Sequence, residues 1–140
     1  MLSHLQYLTQ LPVLEGIALA AIVHILVGMV WYSPKVFGSA WLKLSGVKPK
    51  QIDMGRAYVG AVVGSVLVAA VMSCLLHRLA LNGYEASVLL AIKLWLGFVL
   101  PYSMGGVLWE GKPMQLFALH AGCHLVQLMA VGAVLSYFAY

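Results

Sequence analysis

The sequence predicts an all-α membrane protein, with four transmembrane helices and a short interfacial amphipathic helix after the first span. Two observations lead there. Lys, Arg, Asp and Glu are absent from Gly16–Ser33, Ala57–Leu76 and Met114–Tyr140, and Ala86–Trp109 carries only Lys93. Each stretch is close to or above the ~20 mainly apolar residues that cross a hydrocarbon core as a helix. Composition agrees: 63% of the 140 residues are hydrophobic and 9% charged, with mean hydropathy +0.96. Leaving that apolar surface in water, at ~25 cal/mol per Å², would cost more than a soluble fold recovers, so the solvent is lipid. Spans over about residues 14–33, 57–77, 86–109 and 115–138 use nearly the whole chain. Residues 1–140 therefore form a single transmembrane domain, without room for a separate soluble one.

Span one carries His24 at its middle and stops at Pro34, because a proline ring disfavours helical geometry in the residue before it. Beyond it Val36, Phe37, Ala40, Trp41 and Leu44 recur at helical spacing, opposite Lys35, Ser39 and Lys43. This pattern predicts an interfacial helix over residues 35–45, ended by Gly46, with Trp41 at headgroup depth. Trp31 and Trp109 stand at the ends of spans one and three as further interfacial anchors.

Span two reads as the packing helix. Gly60-Ala-Val-Val-Gly64 is a GxxxG pattern, and Ala57, Ala61, Ser65 and Ala69 extend a row of small residues. Small side chains let helices approach closely in lipid, within one chain or between copies. Span three is irregular at Gly97…Pro101-Tyr-Ser-Met-Gly105-Gly106. Proline removes a backbone hydrogen bond, and such breaks expose carbonyls as well as merely kinking a span. Lys93 lies outward of that span's middle, where it either snorkels to the headgroups or faces an anion or Glu15.

Span four holds His120 and His124 one turn apart, and Gln127 continues the stripe. Polar groups in hydrocarbon face protein or a wet cavity. His24 and His124 fall near one depth and His120 about one turn nearer the cytoplasm, level with Tyr102 and Ser103 of span three. Together with Lys93 they are the candidates for a solute or proton pathway. The competing role is structural, each imidazole holding helices together through a hydrogen bond. Haem or metal ligation through His24, His120 and His124 is a third role. No Asp or Glu lies at that depth and no His-Glu-x-x-His motif occurs, so the sequence offers no catalytic residue, and no enzyme, cofactor or metal is expected.

Charge sets partners and orientation. Lys35, Lys43, Lys48, Lys50 and Arg56 all lie between spans one and two, with Asp53 the only acid there. That loop suits anionic headgroups rather than nucleic acid. It and the Lys112 loop outweigh Arg78 on the other side, which puts both termini outside. Residues 1–12 lack a basic leader region, so the first apolar stretch reads as a retained span. Cys74 and Cys123 fall at different depths and are not expected to pair. Gly28-Met-Val-Trp31 with Pro34 and Phe37, and Gly106-Val-Leu-Trp109 with Pro113 and Phe117, form either a parallel internal repeat or a coincidence of span-end residues.

Trp31-Tyr-Ser-Pro-Lys-Val-Phe-Gly-Ser-Ala-Trp41 resembles the Trp-Tyr-x-Pro…Phe-Gly-x-x-Trp signature of the bacterial membrane-protein family called domain of unknown function 1761. Leu94-Trp-Leu-Gly-Phe-Val99, Trp109-Glu-Gly-Lys-Pro113 and Gly122-Cys-His-Leu-Val126 are similar to its later segments, with Trp109 standing in place of phenylalanine. The resemblance covers roughly residues 15–138. It implies four helices in a bacterial inner membrane and carries no reaction to transfer. The resulting expectation is a homo-oligomeric channel or permease for a small solute or ion. The alternative is a structural, lipid- or partner-binding membrane subunit, and the third is a haem- or metal-binding redox protein.

Overall fold

A computed structural model describes residues 9–138, with the backbone alone for Gln51. Residues 1–8, on which much of the reading of the N-terminus rests, lie outside the described residues. The elements are α1 (Leu11–Trp31), α2 (Gly38–Ser45), a 3-10 turn (Pro49–Gln51), α3 (Met54–Arg78), α4 (Tyr84–Leu94), a π-helical segment (Trp95–Val99), α5 (Leu100–Leu108) and α6 (Met114–Leu135). Helix α4, the π segment and α5 run on as one span, Tyr84–Leu108. The fold is all-helical, and four helices of 21, 25, 25 and 22 residues are long and apolar enough to cross a membrane. At 1.5 Å per residue even the shortest covers about 32 Å, slightly more than a hydrocarbon core.

Local chemistry explains where the ends fall. Helix α1 starts at Leu11, ahead of the expected 14, because Pro12 sits in the first turn where no amide partner is needed. The interfacial helix starts at Gly38 rather than at 35. The chain after Trp31 first makes a tight turn, in which Phe37 N–H donates to Trp31 O (3.0 Å) and Gly38 N–H to Ser33 O (2.9 Å). Lys35, Val36 and Phe37 therefore belong to the turn. Gly46 closes α2 in the left-handed region, at φ 66°. Asp53 caps α3 by accepting the Arg56 N–H at 3.1 Å.

Spans one and four form the centre of the bundle. Helix α3 packs on α1, α4 packs on α6, and α1 packs on α6. The tight core draws Val13, Ile17, Ala20 and Ala21 from α1, Met72 and Leu76 from α3, Leu90 and Ala91 from α4, and Val131 and Leu135 from α6. Because the spans alternate in direction, these are first halves of α1 and α4 and second halves of α3 and α6. All lie at the end of the bundle away from α2. Gly132 sets the closest approach there: a Cβ on it would stand 2.9 Å from the Ser87 carbonyl oxygen.

Span two turns its GxxxG face outward. The residues it buries are Ser65, Ala69, Met72, Ser73 and Leu76. A Cβ on Gly60 or Gly64 would meet nothing within 4 Å. These glycines, with exposed Ala57 and Ala61, face out of the chain. Ser65 and Ala69 are the part of the small-residue row that packs internally.

The core predicts its own weak point. Gly132→Ala forces the α4–α6 backbones apart, and overpacking of this kind costs about 1–3 kcal/mol. A lower thermal midpoint in detergent, with Gly60→Ala unchanged, is the expected result.

Candidate functional site

The opposite end of the bundle is where the polar side chains gather, and hydrogen-bond accounting fixes how they are held. His24 Nδ1 lies 2.8 Å from Ser65 Oγ. The serine hydroxyl has one proton, which it donates to Ala61 O at 2.7 Å. His24 Nδ1–H must therefore donate to Ser65. In the neutral ring that leaves a lone pair on Nε2, which has no hydrogen-bond partner among the described residues; His24 itself lines a cleft.

Gln127, buried in α6, links span four to span one. Its Nε2 donates to the His24 backbone carbonyl at 3.0 Å, which fixes the amide orientation because a carbonyl can only accept. Its Oε1 then faces His124 Nδ1 at 3.2 Å and must accept from it. His124 is held as the same tautomer as His24, with Nε2 again left as an acceptor. One amide thus joins two spans and orients an imidazole.

His120 looks elsewhere. Its Nδ1 lies 2.7 Å from the Tyr32 hydroxyl, beyond the end of α1. The Tyr32 ring meets the edge of Trp41 from α2, with centroids 6.0 Å apart, and its hydroxyl lies beside the buried Cys123 thiol. Trp31, at the end of α1, packs its ring against Phe37 at 4.6 Å and covers Gly122, whose Cβ would stand 3.2 Å from it. Its Nε1 is buried without a partner among the described residues. The missing Cβ at Gly122 makes room for an indole inside the fold. Trp109, by contrast, is 87% exposed and free to meet the interface.

Span three forms the remaining wall and is loosely held. Pro101 has no N–H and its ring would crowd the carbonyl four residues back, and the helix widens just before it. Leu100 N–H reaches back to Trp95 O, five residues away. From Trp95 to Leu108 no residue is buried. One side-chain tether crosses to span four, from Trp95 Nε1–H to Ala121 O at 2.8 Å. Gly97 and Gly105 have open space where a Cβ would stand.

Between this wall and α6 runs an open cleft of about 570 Å³. Its mouth lies by Trp41, Ser45 and the Glu110–Lys112 ion pair, and it passes His120 to reach Tyr102, Ser103 and His124. Those last three residues also line a second hollow of about 260 Å³ that ends at His24. The two share Tyr102, Ser103 and His124 and make one open groove, apolar over most of its lining, from the α2 end to His24.

The structure thus brings together His24, His120, His124, Tyr102 and Ser103, with Gln127 behind them. It does not include Lys93, which is exposed on the far half of span three and lines neither hollow. Tyr32 and Trp95 are the site residues that sequence reasoning passed over. Tyr32 was visible only as part of the motif before Pro34, and Trp95 as one more apolar residue of a span. Both cysteines are free. Among the described residues, no group of three or more His, Cys, Asp and Glu is placed to hold a metal ion. The three membrane imidazoles each turn Nδ1 to a different partner.

Four helices long and apolar enough to cross a membrane, with His24, His120, His124, Tyr102 and Ser103 along one groove, fit the class of multi-span helical membrane proteins. Within that class, the chain belongs to the family described as Protein of unknown function (DUF1761), whose model matches residues 16–136. Comparison with curated proteins and with solved structures found no match.

The Trp95 tether predicts a measurable loosening. Trp95→Phe keeps an aromatic ring and loses the bond to Ala121, and such interhelical bonds in membranes are worth ~0.6 kcal/mol and at most ~1.7. Amide exchange should accelerate over residues 95–108 and stay unchanged in α1.

Proposed function

We propose that this chain is a homo-oligomeric permease or channel of a bacterial plasma membrane, admitting a small solute or ion through the groove between spans three and four. The observation that supports it most is the groove itself. It carries His24, His120, His124, Tyr102 and Ser103 among mainly apolar neighbours, and one wall is a half-span that buries nothing and carries a π segment, a proline and unpacked glycines. A wall so held can move, and a path closed at mid-membrane needs such movement to conduct.

Oligomerisation is part of the same reading. His124 is exposed on the single chain and Tyr102 is 84% exposed, although both would sit at hydrocarbon depth. A second copy covers them at less cost than lipid does. The outward Gly60–Gly64 face of α3 offers a close helix contact for the assembly. The loops bearing Lys35–Arg56 and Lys112 lie on the cytoplasmic side, with both termini outside.

Flux and mass test this together. In nanodiscs the protein should run as an oligomer, and replacing Gly60 and Gly64 by Leu should shift its mass. Proteoliposomes challenged with water, glycerol, urea, ammonium, potassium and chloride should pass at least one of them. His124→Trp, which fills the groove, should abolish that flux. A stable monomer, or an intact oligomer that passes none of the panel, overturns the permease reading. The second outcome favours the alternative, a lipid- or partner-binding subunit, to which the sealed apolar half of the bundle is equally suited. Orientation is checked separately: in a cysteine-free background Lys48→Cys and Asn82→Cys should label from opposite sides, with position 82 reached from outside.

A further inference from the structure

The inner end of the groove has a specific hydrogen-bonding sign. His24 Nδ1–H is used on Ser65 and His124 Nδ1–H on Gln127. The Ser103 hydroxyl proton goes to Val99 O at 2.7 Å, back along its own helix. His24, His124 and Ser103 line one hollow, and with those protons committed what they have left to offer is acceptors: Nε2 of each neutral imidazole and a lone pair on Ser103 Oγ. Tyr102 is the one neighbour able to donate. The rest of the lining is apolar, from Val68, Val99 and Leu128. While the rings are neutral, bonds to three different elements hold these groups as acceptors, and none can turn to donate without breaking one.

We propose that this hollow is a binding site for a small solute that donates N–H bonds, an amine or ammonium ion, and that it rejects anions. An anion would meet three lone pairs and no cation at that depth. A bare alkali ion would lose its water to neutral acceptors without a carboxylate to compensate. An ammonium ion has four N–H bonds, three for these acceptors and a fourth for the Tyr102 hydroxyl oxygen, and such bonds are directional in a way that coordination of an alkali ion of equal charge is not. Two imidazoles without a thiolate or carboxylate in the hollow make an incomplete set for a tetrahedral metal. The inference deepens the permease reading and rests on it for the route by which solute arrives.

The test is nitrogen-15 NMR of histidine-labelled protein in nanodiscs, above the ordinary imidazole titration range so that the rings are neutral. Without ligand, His24 and His124 should each show a protonated Nδ1 and a bare Nε2. Ammonium chloride should shift both Nε2 signals saturably, and potassium chloride should act at least about tenfold more weakly. Gln127→Leu, which unlatches the His124 ring, should weaken the ammonium response about tenfold. The wild-type spectrum is decisive even if that variant folds poorly. Protonated Nε2 atoms in the free protein, an equal response to potassium, a response that follows the anion at constant cation, or a response to zinc alone would each overturn the proposal. Ammonium binding without any flux would leave this site standing and remove the permease reading; flux without an ammonium response would remove this site alone.

Discussion

A polar atom in hydrocarbon has to find its partner inside the protein, and most of this structure follows from that requirement. Backbone groups meet it by forming helices. The buried or half-buried serines meet it by bonding back along their own helix, Ser65 to Ala61 O, Ser87 to Gly83 O and Ser103 to Val99 O. Gln127 cannot do so with both ends of its amide, and it spends one on the backbone of span one. That single bond fixes the facing of α1 against α6, and the other end fixes His124. Once Gln127 is placed, His24 and its bond to Ser65 orient span two in turn.

The molecule consequently divides across the membrane. At the far end, apolar residues from all four spans close on one another, and Gly132 lets α4 and α6 approach to backbone distance. At the α2 end, polar residues keep spans three and four apart and the groove opens. The π segment lies near the boundary, where a span packed in its first half becomes unpacked in its second. Packing strength and chemistry are thus separated along one axis. A stable half holds the bundle, and a loosely walled half holds the polar groups. Motion in span three is cheap because so little of it is buried.

Much of this is legible in the sequence, for physical reasons that also mark where reading stops. Charge-free stretches of span length identify the four helices, and the tryptophan- and histidine-bearing segments identify the family, whose model covers residues 16–136. Helix ends were less accurate, because the turn after Trp31 depends on carbonyls folding over Gly38, a contact that hydrophobic spacing does not encode. Polarity in an apolar span signals that a partner must exist, but not which one. Tyr32 takes His120, and nothing in local sequence selects it. Small residues on span two likewise signal close approach without saying to what, and the GxxxG face turned out to point away from the chain. Pro101 signalled a break in span three; its form, a widened turn tethered by Trp95, depends on a carbonyl 26 residues away in sequence. Trp31 read as an anchor because tryptophan favours interfaces, and only the space at Gly122 shows that it packs inward.

The division into an open polar half and a sealed apolar half is the claim on which the rest stands, and thiol accessibility measures it directly. In a background with Cys74 and Cys123 replaced, single variants Ser103→Cys, His124→Cys, Val131→Cys and Leu135→Cys would be placed in lipid bilayers and exposed to a small hydrophilic thiol reagent. Positions 103 and 124 should react and positions 131 and 135 should not. Equal protection at all four would mean that the groove is not wet, and reaction at 131 or 135 would mean that the apolar end is not closed.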